Sequence, residues 1–173
     1  MKINERSLLL SLIIFVVLNN FAWGTSQKRP IRLFRIGQEH GNFTINNTKY
    51  TLRGIYSSFL IPVIKQDKNH IFLSLTYSEG KTYPEKLEYK NFSLDYHAIM
   101  LADYFIKPNF KVGISQFKLS HRKENYGLSI GAGFSMGGET GGFFFDPIHI
   151  AVHELDGQFP LVYSSKLGIC TKF

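Results

Sequence analysis

The chain has 173 residues, 20 Lys+Arg against 13 Asp+Glu, a formal net charge of +7 at neutral pH, 44% hydrophobic and 15% aromatic residues. That length fits one domain, since domains take about 100–200 residues, and such aromatic content excludes a disordered chain. A single cysteine excludes an intrachain disulfide scaffold and a Cys-rich zinc site, and a mean hydropathy of -0.07 excludes a polytopic helical membrane protein.

The first element is apolar. Met-Lys-Ile-Asn-Glu-Arg precedes a mostly apolar run from Ser7 to Leu18, then Asn19-Asn20-Phe21 and Ala22-Trp23-Gly24. A basic start, a short apolar core and a small-x-small site make a secretory signal over 1–24. The run of 12 residues falls short of the roughly 20 that a spanning helix needs; an uncleaved anchor is the alternative. Cleavage is expected after Gly24, leaving a mature domain over 25–173 with a net charge of +6, because Lys2, Glu5 and Arg6 leave with the signal. No later apolar run approaches spanning length. The mature chain is therefore either soluble after export or a membrane β-barrel, the only other structure that satisfies its backbone groups in lipid.

Residues 25–30 are a short lead-in. Beyond them the chain alternates with period two, interrupted by turn residues, without a 20–50-residue repeat. The spacing predicts strands at 31–36, 48–64, 70–78, 87–105, 109–119, 125–136, 143–154 and 159–173. The stretch 87–105 is also compatible with a helix through Leu94, Ala98, Leu101 and Phe105. Ile71, Leu73, Leu75 and Tyr77 alternate with Phe72, Ser74 and Thr76; Phe110, Val112 and Ile114 alternate with Lys111, Gly113 and Ser115. In 125–136, Tyr126, Leu128, Ile130, Ala132, Phe134 and Met136 share one face, and Gly127, Ser129, Gly131, Gly133 and Ser135 the other. A lipid-spanning barrel turns the apolar face outward and keeps small polar residues inside. The last segment repeats this, with Lys166 and Lys172 on the inner face, where a dry sandwich core would not admit an unpaired ammonium.

Up-and-down order from a periplasmic N-terminus puts loops 65–69, 106–108 and 137–142 on the periplasmic side and 37–47, 79–86, 120–124 and 155–158 outside. The fold class expected is therefore all-β, an antiparallel up-and-down transmembrane barrel of about eight strands. Tyr163, Leu167, Ile169 and the terminal Phe173 resemble the C-terminal assembly signal of bacterial outer-membrane proteins. The mature chain resembles the small eight-stranded barrels of the OmpA-domain and OmpX type. That resemblance implies residence in the bacterial outer membrane, contact with outer-membrane lipid and lipopolysaccharide, dependence on the barrel assembly machinery, a monomeric state, and a structural or surface-interaction role through the loops.

Barrels of this architecture include lipid A-modifying acyltransferases and deacylases, and an acyl-transfer enzyme is the rival reading. Such chemistry needs a Ser beside a His held by a carboxylate. The nearest approach in sequence is Ser120-His121, within a loop that also carries Arg122, Lys123 and Glu124. His149 and His153 share a strand face about 13 Å apart, too far to bind one metal together; polar lining of the lumen accounts for them. Cys170 has no partner thiol. No catalytic, cofactor-binding or metal-ligating residue is therefore assigned and no cofactor expected. The basic residues are scattered, not interleaved with aromatics, which speaks against nucleic acid; the basic run 121–123 is a solvated loop or a contact for lipopolysaccharide phosphates. Asn42-Phe43-Thr44, Asn46-Asn47-Thr48 and Asn91-Phe92-Ser93 are glycan acceptors if the chain is secreted by a eukaryote, which keeps a soluble lipocalin-like carrier as a second rival.

If Phe173 belongs to an assembly signal, Phe173→Lys should reduce the inserted fraction in cells and leave refolding into detergent nearly intact, because a basic residue at a barrel rim costs only about 0–1 kcal/mol. Normal insertion of the variant in cells would remove the signal reading.

Overall fold

The computed structural model describes residues 32–66, 69–101, 104–120, 124–137, 141–155 and 157–172. The expected signal segment, His121, Arg122, Lys123 and Phe173 lie outside these residues. Eight strands follow in order: β1 (Leu33–Ile45), β2 (Thr48–Gln66), β3 (Asn69–Tyr83), β4 (Glu88–Ile99), β5 (Ile106–Leu119), β6 (Asn125–Gly137), β7 (Gly141–His153) and β8 (Leu161–Lys172). Each pairs antiparallel with the next, and β8 pairs back onto β1, from Lys172 opposite Leu33 to Tyr163 opposite Asn42, closing the barrel. The up-and-down barrel expected from the alternation is the fold observed.

The side-chain phase also follows the expectation. Tyr126, Leu128 and Ile130 of β6 are exposed on the outside, whereas Ser129 and Ser135 are buried inside. Phe110, Val112 and Ile114 point out of β5, and Lys111 and Ser115 point in. In β7, Ile148 faces outward and His149, Ala151 and His153 face inward. The inward glycines make room for the large groups opposite them. A Cβ on Gly127 would strike His153, one on Gly133 would strike Asp146, and one on Gly54 would strike the Tyr89 hydroxyl.

Pro147 lies where the β7–β8 register breaks between Asp146 and His149. A proline has no N–H for the ladder and is tolerated at such bulges. The break also shifts the phase, so that Phe144 and Asp146 before it and His149 and Ala151 after it are all buried inside.

The connections differ from the expectation. Segment 37–47 is not an outer loop: β1 runs through to Ile45 and turns at Asn46-Asn47, both with positive φ (49° and 63°), as a two-residue hairpin turn requires. The Gly, Gln, Glu and His of 37–41 read as a loop because outward Gln38 and His40 are polar, while inward Gly37 pairs against Gly168 with no space for a side chain. Likewise 79–83 belongs to β3. The ambiguous stretch 87–105 is strand only over Glu88–Ile99, and β5 begins earlier than expected, at Ile106. The connections between strands span only two to seven residues.

One end of the barrel carries the connections 46–47, 84–87, 120–124 and 154–160 and is called here the hairpin end; the other carries the start of β1 and the end of β8. Inside the hairpin end, Phe43 stacks on Tyr50 (5.1 Å between centroids) and meets Phe117 edge-on (5.8 Å). These rings form one buried cluster with Ile45, Leu52, Tyr89, Leu119, Ala151, Leu155 and Val162. A smaller cluster of Leu33, Leu60, Phe72 and Ile99 lines the other end.

If the exterior faces hydrocarbon, Ile130→Lys in the middle of β6 should cost about 2–4 kcal/mol on urea unfolding from lipid vesicles. A cost within about 0.5 kcal/mol, ordinary for a surface substitution in water, would mean that this face meets water.

Candidate functional site

Between the two apolar clusters lies a belt of buried charge. Asp146 is its centre. Lys111 Nζ donates to Asp146 Oδ2 at 2.5 Å and Arg35 Nη1 to the same oxygen at 3.4 Å. Arg35 Nη2 donates to the Ser135 hydroxyl at 2.6 Å, and its guanidinium lies 5.0 Å from the centre of the Phe144 ring. Asn109, with its amide nitrogen turned toward Asp146 Oδ1 (3.2 Å) and His97 Nε2 (3.3 Å), accepts from the Phe134 N–H at 3.1 Å. These groups come from β1, β4, β5, β6 and β7, so the belt ties strands far apart in sequence across the lumen.

A second carboxylate, Glu39, faces Lys166 Nζ at 3.5 Å and accepts from Ser164 (2.8 Å) and the Tyr89 hydroxyl (3.2 Å). The third, Asp95, accepts from Ser93 (2.7 Å) and Ser129 (2.9 Å). The ring of Tyr56 lies 4.9 Å from Lys166 Nζ and 5.7 Å from Lys111 Nζ. Buried Arg35, Lys111 and Lys166 thus balance buried Glu39, Asp95 and Asp146 among the described residues. Such charges can stay ionised away from water only when paired and hydrogen-bonded.

The lumen also brings together Ser–His pairs that chain spacing does not display. The Ser115 hydroxyl lies 3.3 Å from His153 Nε2, and the Ser164 hydroxyl 3.4 Å from His149 Nδ1, beside Glu39. The second set has the composition of a nucleophile, base and carboxylate. Its surroundings do not suit catalysis: the cavity that touches Glu39, His149, His153 and Ser164 has a volume of about 10 Å³, no more than one water requires. The aromatic cluster and the buried Leu155 cover it. The connection 154–160 is pinned there by Gln158, which donates to Asn46 Oδ1 at 2.7 Å and accepts from the Asn46 N–H at 3.2 Å.

The other residues raised by the sequence sit elsewhere. Ser120 accepts from the Glu88 N–H (2.9 Å) and donates to the Glu88 carbonyl (3.2 Å), extending the β4–β5 ladder at the hairpin end; its neighbour His121 is outside the described residues. Cys170 is a half-buried free thiol. Asn91 faces inward and is buried, which removes the third glycan acceptor. On the exterior, His40 of β1 stands directly opposite Ser165 of β8, but Ser165 donates to the His40 carbonyl at 3.4 Å rather than to the ring. This juxtaposition, 125 residues apart in sequence, follows only from the closing β1–β8 register.

The exterior has two zones. From Ile55, Tyr77, Phe92 and Ile114 downward, outward side chains are apolar or aromatic apart from Ser57 and the terminal Asn69; toward the hairpin end, the next outward residues are Arg53, Glu79, Lys90 and Gln116, followed by Thr51, Lys81, Glu88 and Lys118. Tyrosines mark the border, with Tyr77, Tyr126 and Tyr163 exposed there. An apolar band flanked by aromatics on a closed barrel is the pattern of a lipid-spanning exterior. A lipocalin reverses it, filling its interior with apolar residues, so the arrangement of side chains contradicts the soluble-carrier alternative.

No family model matches the chain, and no curated protein matches it. Its fold is that of small eight-stranded outer-membrane β-barrels. It is similar to the crystal structure of Neisserial surface protein A, NspA, with a TM-score of 0.63 and 13% identity over 82% of this chain and 97% of that one. Ail, the attachment invasion locus protein of Yersinia pestis, superposes with a TM-score of 0.55 at 14% identity, covering 83% and 99%. The outer membrane protein OprG of Pseudomonas aeruginosa does so with 0.53 at 11% identity, covering 83% and 96%.

Removing the central carboxylate should be severe. Asp146→Ala leaves Arg35 and Lys111 buried without their acceptor and should cost about 3–5 kcal/mol on unfolding from vesicles. Replacing the triad by apolar residues of similar size (Arg35→Met, Lys111→Met, Asp146→Leu) should restore stability to the parent level or above. A cost below about 1 kcal/mol for Asp146→Ala, the range of exposed ion pairs, would mean that water reaches the belt.

Proposed function

We propose that this chain is an integral barrel of the bacterial outer membrane with a structural or surface-interaction role and no catalytic lumen. The observation that carries the reading is the inversion of polarity, with ion pairs inside and Leu, Ile, Val and Phe outside. The fold likeness to outer-membrane barrels supports the location. Lipopolysaccharide and membrane lipid are its expected contacts, the barrel assembly machinery its route of insertion, and a monomer its working state.

The interaction surface differs from the one the sequence suggested. The connections are too short to form large loops, so the exposed polar surface is made by strand faces. Beyond the apolar band, β1 presents Gln38, His40, Asn42 and Thr44 outward, and β2 presents Lys49, Thr51 and Arg53. This hairpin extends roughly 25 Å of strand past the band at 3.3–3.4 Å per residue. A rigid, polar ribbon suits contact with headgroups or a partner surface.

A lipid A-modifying enzyme remains the second reading, favoured by one observation, the exterior juxtaposition of His40 and Ser165. Cell fractionation and mass spectrometry of lipid A, with and without the gene, test both. Recovery in the outer membrane with an unchanged acyl pattern is expected. Recovery as a soluble protein would overturn the location, and an acyl change abolished by His40→Ala would favour the enzyme.

A further inference from the structure

A cavity lies inside the barrel at the end where β1 starts and β8 stops. Its volume is about 30 Å³, against the roughly 10–15 Å³ that one water requires. The register assembles its polar walls. Lys107 of β5 stands directly opposite Ser135 of β6, and Arg35 of β1 directly opposite Cys170 of β8. Lys172 follows two residues nearer the end, opposite Leu33. All of these side chains line the cavity.

The polar groups there are donors. Arg35 is buried, with Nη1 turned to Asp146 at 3.4 Å and Nη2 donating to Ser135 Oγ at 2.6 Å. The guanidinium is a rigid fork, and its Nε–H leaves along the same edge as Nη2. Nε has no hydrogen-bond partner among the described residues. Having accepted from Arg35, Ser135 keeps its own O–H to donate. Lys107 Nζ donates to the Gly137 carbonyl at 2.7 Å, and an ammonium carries three donors and no acceptor. Among the described residues no carboxylate lines the cavity. Asp146 is shared by Arg35 and Lys111, and Glu39 and Asp95 are held within the belt by Lys166, Ser164, Ser93 and Ser129.

A water in this space would have two protons of its own to place, and the strongest side-chain acceptor, Ser135 Oγ, already receives Arg35. A monoatomic anion has none to place and accepts from every donor around it. An oxoanion of five heavy atoms exceeds a space of about two waters. We infer that this cavity binds one halide ion, chloride in practice, held by Arg35, Ser135, Lys107 and Lys172. The donors come from β1, β5, β6 and β8, so the ion links the closing strands to the opposite wall below the belt. The site depends on closure of the barrel and not on what surrounds it.

The full chain is refolded into a nonionic detergent, its strand content checked by circular dichroism, and the chloride-35 NMR linewidth measured while bromide is titrated in. The parent should broaden the chloride line, and bromide should remove the excess along a one-site curve. Lys107→Gln and Lys172→Gln should each weaken halide binding about fivefold, on the scale of one basic residue at a charged surface. Ser135→Ala, which removes a donor and no charge, should weaken it about threefold. Lys49→Gln, at the hairpin end, should leave it unchanged. Absence of excess linewidth in the parent, or an equal loss in Lys49→Gln, would overturn the site. So would full binding by Ser135→Ala, which would reduce it to diffuse attraction by lysines. Inorganic phosphate displacing chloride at lower concentration than bromide would contradict the halide assignment. Binding found only in Glu139→Gln would show that the chain's own carboxylate takes the place of the ion, and would overturn it as well.

Discussion

Closing eight strands into one barrel forces their inward side chains into a shared volume with almost no water. Every other feature of the interior follows from that. Charges placed there must neutralise one another, and Asp146 is where this is met, accepting from Lys111 and from Arg35, two strands that are not its neighbours in the sheet. The glycine and serine positions of β6 are the counterpart of this crowding. They supply the space that Asp146 and His153 occupy. A belt made this way fixes the pairing of opposite walls of the barrel, because its geometry is satisfied in one register only.

The same closure frees the outside to be apolar. A soluble protein would hide Leu128, Ile130, Phe143 and Leu167; here they are exposed by 54–69% and need hydrocarbon to cover them. The two zones of the exterior then assign depth. In the membrane reading proposed above, Tyr77 and Tyr126 mark one boundary, with the charged rows beyond it among headgroups and water. Because the connections are short and Leu155 is buried in the aromatic cluster, what the protein offers to its surroundings is the ribbon of β1–β4.

Much of this was legible from the residues. Period-two alternation located eight strands and assigned the faces of β6, of β7 from Ile148 onward and of β8 correctly, including Lys166, because a strand exposes its two faces to different solvents. It failed at 37–45, where the outward positions Gln38, His40, Asn42 and Thr44 are polar and the inward ones as far as Gly41 are glycine or charged, with inward apolar residues returning only at Phe43 and Ile45. It failed for the same reason at 79–83. The partners of the buried charges were not legible at all. Arg35 and Asp146 are 111 residues apart, and nothing local in either strand signals the other. The His40–Ser165 and Arg53–Lys81 neighbours likewise arise from register alone.

The central claim is that the barrel spans lipid while its lumen is filled, by the aromatic cluster at the hairpin end and the compensated charges of the belt. Planar-bilayer recording of the refolded full chain, with insertion established by flotation of the same preparation, addresses it most directly. The account predicts insertion without stepwise current, since Phe43, Phe117 and the Arg35, Lys111 and Asp146 side chains are buried inside the barrel. Reproducible discrete conductance steps from the parent protein would contradict it.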